Sequence, residues 1–212
     1  MLDVNIPKIG EHMLSKKGKE HNLIVNKQSF LSPLQKKILL FFAVTRPQTI
    51  REAVTEMKGN YRSSWEAFKE LKKKNLIEPI RQKFYRGRIF PRFWLTERGV
   101  ILALSKKTNP EILLRKTQEI YPENRNLQFL IETIPLLGEN AYHMLYLSVV
   151  TNGEIKERDL IPIFAMQRKL SKEENKKFKS ILKRYPERYN QTKDAIKRAS
   201  QNLKDLSDMF GV

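Results

Sequence analysis

Between Asn60 and Leu95 a basic amphipathic helix runs straight into a basic β-hairpin, a succession that few folds accommodate. From Tyr61 onward the apolar residues Tyr61, Trp65, Phe68 and Leu71, with small Ser64 beside them, recur at spacings of three and four, which predicts one buried stripe. The opposite face carries Arg62, Ser63, Lys69, Lys72 and Lys73, residue types that bond phosphate oxygens and base edges when a helix lies in a major groove. A lysine-rich solvated face has the same composition, so the helix alone leaves both readings open. Asn75 tolerates the left-handed angles that close a helix, and the lysines before it complement the helix dipole.

The segment after the helix decides more. Ile80-Arg81-Gln82-Lys83-Phe84 alternates as a strand, Tyr85-Arg86-Gly87-Arg88 reads as a turn with Gly87 at its tip, and Ile89 to Leu95 returns. Pro91 confines the returning strand to an edge or a bulge, which a two-stranded ribbon allows. Arg81, Lys83, Arg86, Arg88 and Arg92 exceed what solubility requires of so short a ribbon and point to phosphate or minor-groove contact. Tyr85 either packs against a sugar or caps the apolar base of the hairpin.

Upstream, Ser32-Pro33-Leu34-Gln35 combines an N-cap, a proline at the first helical position and a capping-box glutamine, opening a helix that buries Leu34, Ile38, Leu39, Phe41 and Phe42 and stops before Arg46-Pro47. Thr49-Ile50-Arg51-Glu52 opens a second, shorter helix with Ile50, Ala53, Val54 and Met57 inward, and Lys58-Gly59-Asn60 breaks it. A short helix, a tight turn and a longer amphipathic helix form a helix-turn-helix, whose second member is presented to DNA.

Leu71-Lys72-Lys73-Lys74-Asn75-Leu76-Ile77, the basic hairpin, and the exit Leu95-Thr96-Glu97-Arg98-Gly99 together resemble the winged-helix core of MarR-like and PadR-like regulators. In those proteins the same order reads as recognition helix, wing, closing strand and helix start. The resemblance covers about residues 30–104 and departs from the family at Asn75, where glycine is common. It implies a homodimer with one recognition helix per DNA half-site. The expected fold class is mainly α: an N-terminal winged helix-turn-helix of three helices and a hairpin wing at 30–104, an all-α C-terminal domain at 105–212 for dimerisation or a protein partner, and an arm at 1–29. That arm, with Lys16, Lys17, Lys19 and the short apolar Leu23-Ile24-Val25, either reaches along DNA or a partner subunit or is a frayed terminus.

Charge agrees with a polyanionic partner. Lys+Arg of 41 against Asp+Glu of 23 leaves a net +18, so double-stranded DNA is the expected ligand, with an anionic membrane surface the other candidate on charge alone. The excess is concentrated: residues 30–104 hold 16 basic and 6 acidic residues, a net +10, whereas 105–212 hold 20 and 14, a net +6. No window reaches the roughly 18 apolar residues of a membrane span, and Met1 to Pro7 lacks a secretory signal, so a soluble cytoplasmic chain is expected.

The C-terminal half reads as helices. Asn109-Pro110-Glu111 opens one, Leu127 to Ile134 lies in the next, Tyr142 to Val150 is expected as a buried core helix, Asp159 to Met166 as another, and Ser171-Lys172-Glu173-Glu174 caps a basic one. A last helix from about Thr192 to Phe210 carries a near-heptad stripe, either core or dimer seam.

Catalytic constellations are missing from the sequence. The absence of cysteine removes thiolate chemistry and cysteine-ligated zinc. His12, His21 and His143 sit in unrelated contexts, and His143 is expected to be a satisfied core residue. No phosphate loop, His-Glu-x-x-His or Gly-x-Ser-x-Gly occurs. The expectation is therefore a non-enzymatic transcription regulator without metal or cofactor. Arg62, Ser63, Ser64, Glu66 and Lys69 would read bases or nearby phosphates, and Lys72, Lys73, Arg81, Lys83, Arg86, Arg88 and Arg92 would hold the backbone. The alternatives are a winged-helix subunit of a replication, segregation or RNA-handling assembly, or a nucleic-acid enzyme carrying such a module.

Overall fold

The computed structural model describes residues 30–152 and 170–188, with isolated positions 190, 194, 197 and 201. The arm at 1–29, the helix expected at 159–166 and the whole of the last heptad stripe lie outside the described residues. The described chain is mainly helical with one antiparallel hairpin: α1 (Pro33–Val44), α2 (Ile50–Glu56), α3 (Tyr61–Lys73), β1 (Ile77–Tyr85), β2 (Arg88–Leu95), α4 (Glu97–Ser105), α5 (Pro110–Ile120), α6 (Arg125–Leu137), α7 (Glu139–Asn152) and α8 (Lys172–Arg184). None of these helices is long and apolar enough to cross a membrane.

Helix starts follow the capping chemistry. Ser32, Thr49 and Ser171 each accept the backbone N–H three residues on, while Gln35, Glu52 and Glu174 reach back to the cap, completing three capping boxes. The helix ends share a device too. Lys58, Asn75 and Lys107 have φ of 51°, 53° and 61°, and the two N–H groups at each end fold back onto carbonyls of the last turn. After α3 this places Leu76 against Leu71, both fully buried, so the chain leaves the helix already aimed into β1. In the break after α2 the left-handed residue is Lys58, not Gly59.

The hairpin turns on two residues. Tyr85 pairs with Arg88, and both intervening residues have positive φ, 49° at Arg86 and 71° at Gly87. That primed geometry matches the strand twist. Ile80 forms a bulge between Pro79 and Arg81. Phe93 exchanges backbone bonds with Gln48 on the outer edge of β2, at 2.8 and 3.2 Å. Two residues earlier, Pro91 faces that same outer edge, so its missing N–H removes no ladder bond.

The core is one connected cluster from Leu31 to Tyr185. Helix α1 packs on α3, α4 and α5; α4 packs on α7; and α6 packs on α5, α7 and α8. The base of the hairpin is clamped by Trp94, wholly buried with its indole N–H donating to Thr45 O at 3.2 Å, and by Tyr121, whose hydroxyl meets Glu78 Oε1 at 2.6 Å and Leu95 O at 2.8 Å. Burial, reinforced by the Glu78 carboxylate, pushes the Tyr121 phenol well up from 10. On the far side, Phe129 meets the Tyr185 ring edge-on, and Glu132 holds Arg184 and the Tyr185 hydroxyl.

The exit sequence after β2 is a joint. Thr96 caps α4, donates its hydroxyl to Asn75 O at 2.7 Å and its N–H to Leu76 O at 3.1 Å. Arg98 donates to Lys74 O at 3.1 Å and to Val149 O at 3.0 Å, tying the end of α3 to α7. Gly99 sits where the helix meets the α3–β1 junction, and a Cβ there would stand 2.0 Å from Leu76 O.

Two packing expectations are corrected. Helix α7 is half-buried: Ala141, Leu145, Ser148 and Val149 face the core, while His143 and Leu147 are exposed, so His143 is no core histidine. The stripe on α3 is also displaced. Its buried residues are Ser64, Ala67, Phe68 and Leu71, and Tyr61 and Trp65 are exposed at 53% and 39%. At 100° per residue the centre of that buried arc lies roughly 110° from Trp65. Ser64 and Ala67 with Phe68 and Leu71, and not Tyr61 and Trp65, mark the buried side of the helix.

Candidate nucleic-acid interface

Phe68 and Leu71 fix the rotation of α3. Phe68 meets Phe42 and Phe93 edge-on at centroid distances of 5.4 and 5.5 Å, so turning the helix would expose two residues worth about 1.5–3 kcal/mol each. That rotation sets the fate of each expected reader. Arg62, Ser63, Glu66, Lys69, Lys72 and Lys73 are exposed. Ser64 is not: at 1% exposure it lies against the α2–α3 turn, where a Cβ on Gly59 would come within 3.1 Å of its Oγ, and it is removed from the reading set.

Among the outward residues, some charges are already matched. Lys69 pairs with Glu66 at 2.8 Å and Lys73 with Glu70 at 2.7 Å, exposed pairs that a phosphate can displace at little energetic loss. Ser63 donates to the Asn60 side chain that caps the helix. Arg62 and Lys72 form no ion pair with any described residue.

The hairpin divides in two along its length. Its base is buried through Phe93, Trp94 and Leu95, whereas Phe84 to Phe90 stand in solvent. Arg86 and Arg88 are exposed at the tip without ion pairs among the described residues, the Arg86 guanidinium lying 5.2 Å from the Tyr85 ring centroid. Tyr85 is therefore not a cap for the hairpin base. Arg81 and Arg92 face each other across the strands, a like-charge pairing that is unfavourable unless an acid intervenes.

The acid is Glu52. One carboxylate oxygen accepts from Lys83 Nζ at 2.6 Å and Arg92 Nη2 at 3.3 Å, and the other accepts from the Thr49 backbone and hydroxyl. Lys83 and Arg92, expected as backbone contacts, thus hold the hairpin to α2 within the chain. Partial burial raises the Glu52 pKa, but the Lys83 hydrogen bond, the two Thr49 bonds and the Arg92 charge outweigh it and bring the value from 4.5 down to about 2. A folded value below the unfolded one stabilises fully above pH 4.5 and loses that contribution as the pH falls toward 2. Replacing Glu52 by Gln is expected to lower stability by about 0.5–1 kcal/mol at neutral pH, since the pairs are partly exposed. Denaturation midpoints of the two proteins should converge on acidification; a gap that widens in acid would contradict the pairing.

The first turns of α3, helix α2 and the hairpin enclose an open cleft of about 870 Å³. Tyr61 and Trp65 line one wall with near-parallel rings, centroids 6.4 Å apart, and Tyr85 and Phe90 line the other. Arg46, Arg51 and Lys83 border it. Sequence reasoning missed this cleft because it assigned Tyr61 and Trp65 to the core. The available signal was Phe84 and Phe90, large apolar residues on a ribbon with no second layer to cover them. No group of three His, Asp or Glu residues among the described residues is placed to hold a metal ion. Comparison with known proteins finds no matching family model, and no curated protein or solved structure similar to the chain.

Proposed function

We propose that the chain is a DNA-binding transcription regulator of winged-helix architecture, laying the exposed face of α3 in the major groove of double-stranded DNA while the tip of the hairpin follows the backbone. The observation that carries this reading is the set of exposed cations Arg62, Lys72, Arg81, Arg86 and Arg88, which form no ion pair among the described residues and are borne by two elements that border one cleft. Glu52 compensates Lys83 and Arg92 next to them, whereas no described carboxylate forms an ion pair with these five. A phosphate backbone supplies the missing charge, and α3 brings Arg62, Ser63 and Glu66 to base edges. A homodimer reading two half-sites fits this architecture, with the C-terminal helices as its contact.

The test is a duplex-binding titration across salt concentrations by fluorescence anisotropy. Five neutralised phosphates predict a log–log slope of roughly −4 to −5 per monomer. A slope near zero would mean that the cations do not meet phosphate. A general nucleic-acid-binding subunit of a larger assembly would give the same slope without sequence preference.

A further inference from the structure

The large apolar side chains left exposed are concentrated where the unpaired cations are. Tyr61, Trp65, Phe84, Tyr85, Ile89 and Phe90 all lie on the start of α3 or on the hairpin, with Phe84 as much as 72% exposed. A duplex offers such rings little area, because its base faces are covered by neighbouring pairs and its grooves present only base edges, thymine methyls and sugar-phosphate. Unpaired bases do expose their faces, and aromatic side chains set among cations are the arrangement that binds them.

We propose that the cleft between α2, the first turns of α3 and the hairpin takes unpaired nucleotides of a DNA strand, bases stacking on Tyr61, Trp65, Tyr85 and Phe90 and phosphates meeting Arg46 and Arg51 at the rim. This deepens the nucleic-acid reading and rests on it: the ligand becomes a junction between duplex and single strand, the duplex held by α3 and the hairpin tip. The lining sets Arg46 and Arg51 beside Glu56 and the Lys83–Glu52 pair, between walls that carry aromatic rings, so an occupant with flat apolar faces and an anionic backbone suits it. The cleft is wide enough for more than one base, sites of this kind spanning about 300–1,000 Å³.

Tryptophan emission gives a direct readout. Trp94 is fully buried and Trp65 is exposed, so quenching by a bound strand reports Trp65. The full-length chain is titrated with a blunt duplex, the same duplex bearing a single-stranded thymine tail, and the thymine strand alone. The tailed duplex is expected to bind about tenfold tighter than the blunt one, or better, and the tail to quench emission. Trp65→Ala and Tyr61→Ala should abolish the preference, and Trp65→Phe should retain it; Tyr61→Ala carries the test if Trp65→Ala does not fold. Equal binding of tailed and blunt duplex with unchanged emission would overturn the cleft assignment and leave duplex binding standing. Failure to bind any of the three would overturn both. If Trp65→Ala instead turns a dimer into a monomer in sedimentation while the tail preference persists, the aromatic patch is a protein interface and the assignment falls.

Discussion

Replacing Arg86 and Arg88 together by Ala is expected to weaken binding to every duplex by roughly thirtyfold at about 0.15 M salt, and to flatten the salt slope by about 2. Each phosphate contact contributes a slope of about −0.9, which corresponds to roughly fivefold in affinity at that salt, and two contacts multiply. The fold should be untouched. Both side chains are exposed at the hairpin tip, and Ala tolerates the positive φ at position 86 no worse than Arg does. The loss should be uniform across sequences, since the tip carries no base-reading assignment. An anisotropy titration at several salt concentrations checks it; unchanged affinity would take the hairpin out of the interface.

The second large effect is on stability. Gly99→Ala introduces a Cβ 2.0 Å from the Leu76 carbonyl oxygen and 3.2 Å from Leu95 Cβ. Helix propensity favours Ala over Gly by about 1 kcal/mol, but the obstacle here is backbone and cannot rotate away. Relief requires α4 to move off the α3–β1 junction, which breaks the Thr96 bonds to Asn75 O and Leu76 O. A loss of about 3 kcal/mol or more is expected, a large share of the roughly 5–15 kcal/mol that stabilises a typical domain. Urea denaturation measures it. A variant as stable as the parent would mean that α4 can leave the α3–β1 junction without cost.

Much of the local structure was legible because its causes are local. Ser32 with Gln35, Thr49 with Glu52 and Ser171 with Glu174 lie three residues apart and form the capping boxes expected of them. Asn75 adopts the left-handed angle its side chain tolerates, and Gly87 the turn its missing Cβ permits. The features that were not legible depend on partners distant in the chain. Nothing near Lys83 or Arg92 in sequence announces Glu52, which lies 31 and 40 residues away. The role of Gly99 is set by a carbonyl in another element. On α3 the period of three and four holds, but the aromatics suggest the wrong phase, because close approach to α1 and α2 selects Ser64 and Ala67 for the inside. That phase error hid the cleft. His143 went astray for a related reason: α7 is apolar on both sides, so its pattern does not say which face is covered.

The most direct test of the central claim is selection of a fully randomised duplex pool by the full-length chain, followed by sequencing of the retained molecules. A regulator that lays α3 in the major groove should enrich a short motif, its two halves related by symmetry and about one helical turn apart. A retained pool as random as the input would contradict sequence reading by α3.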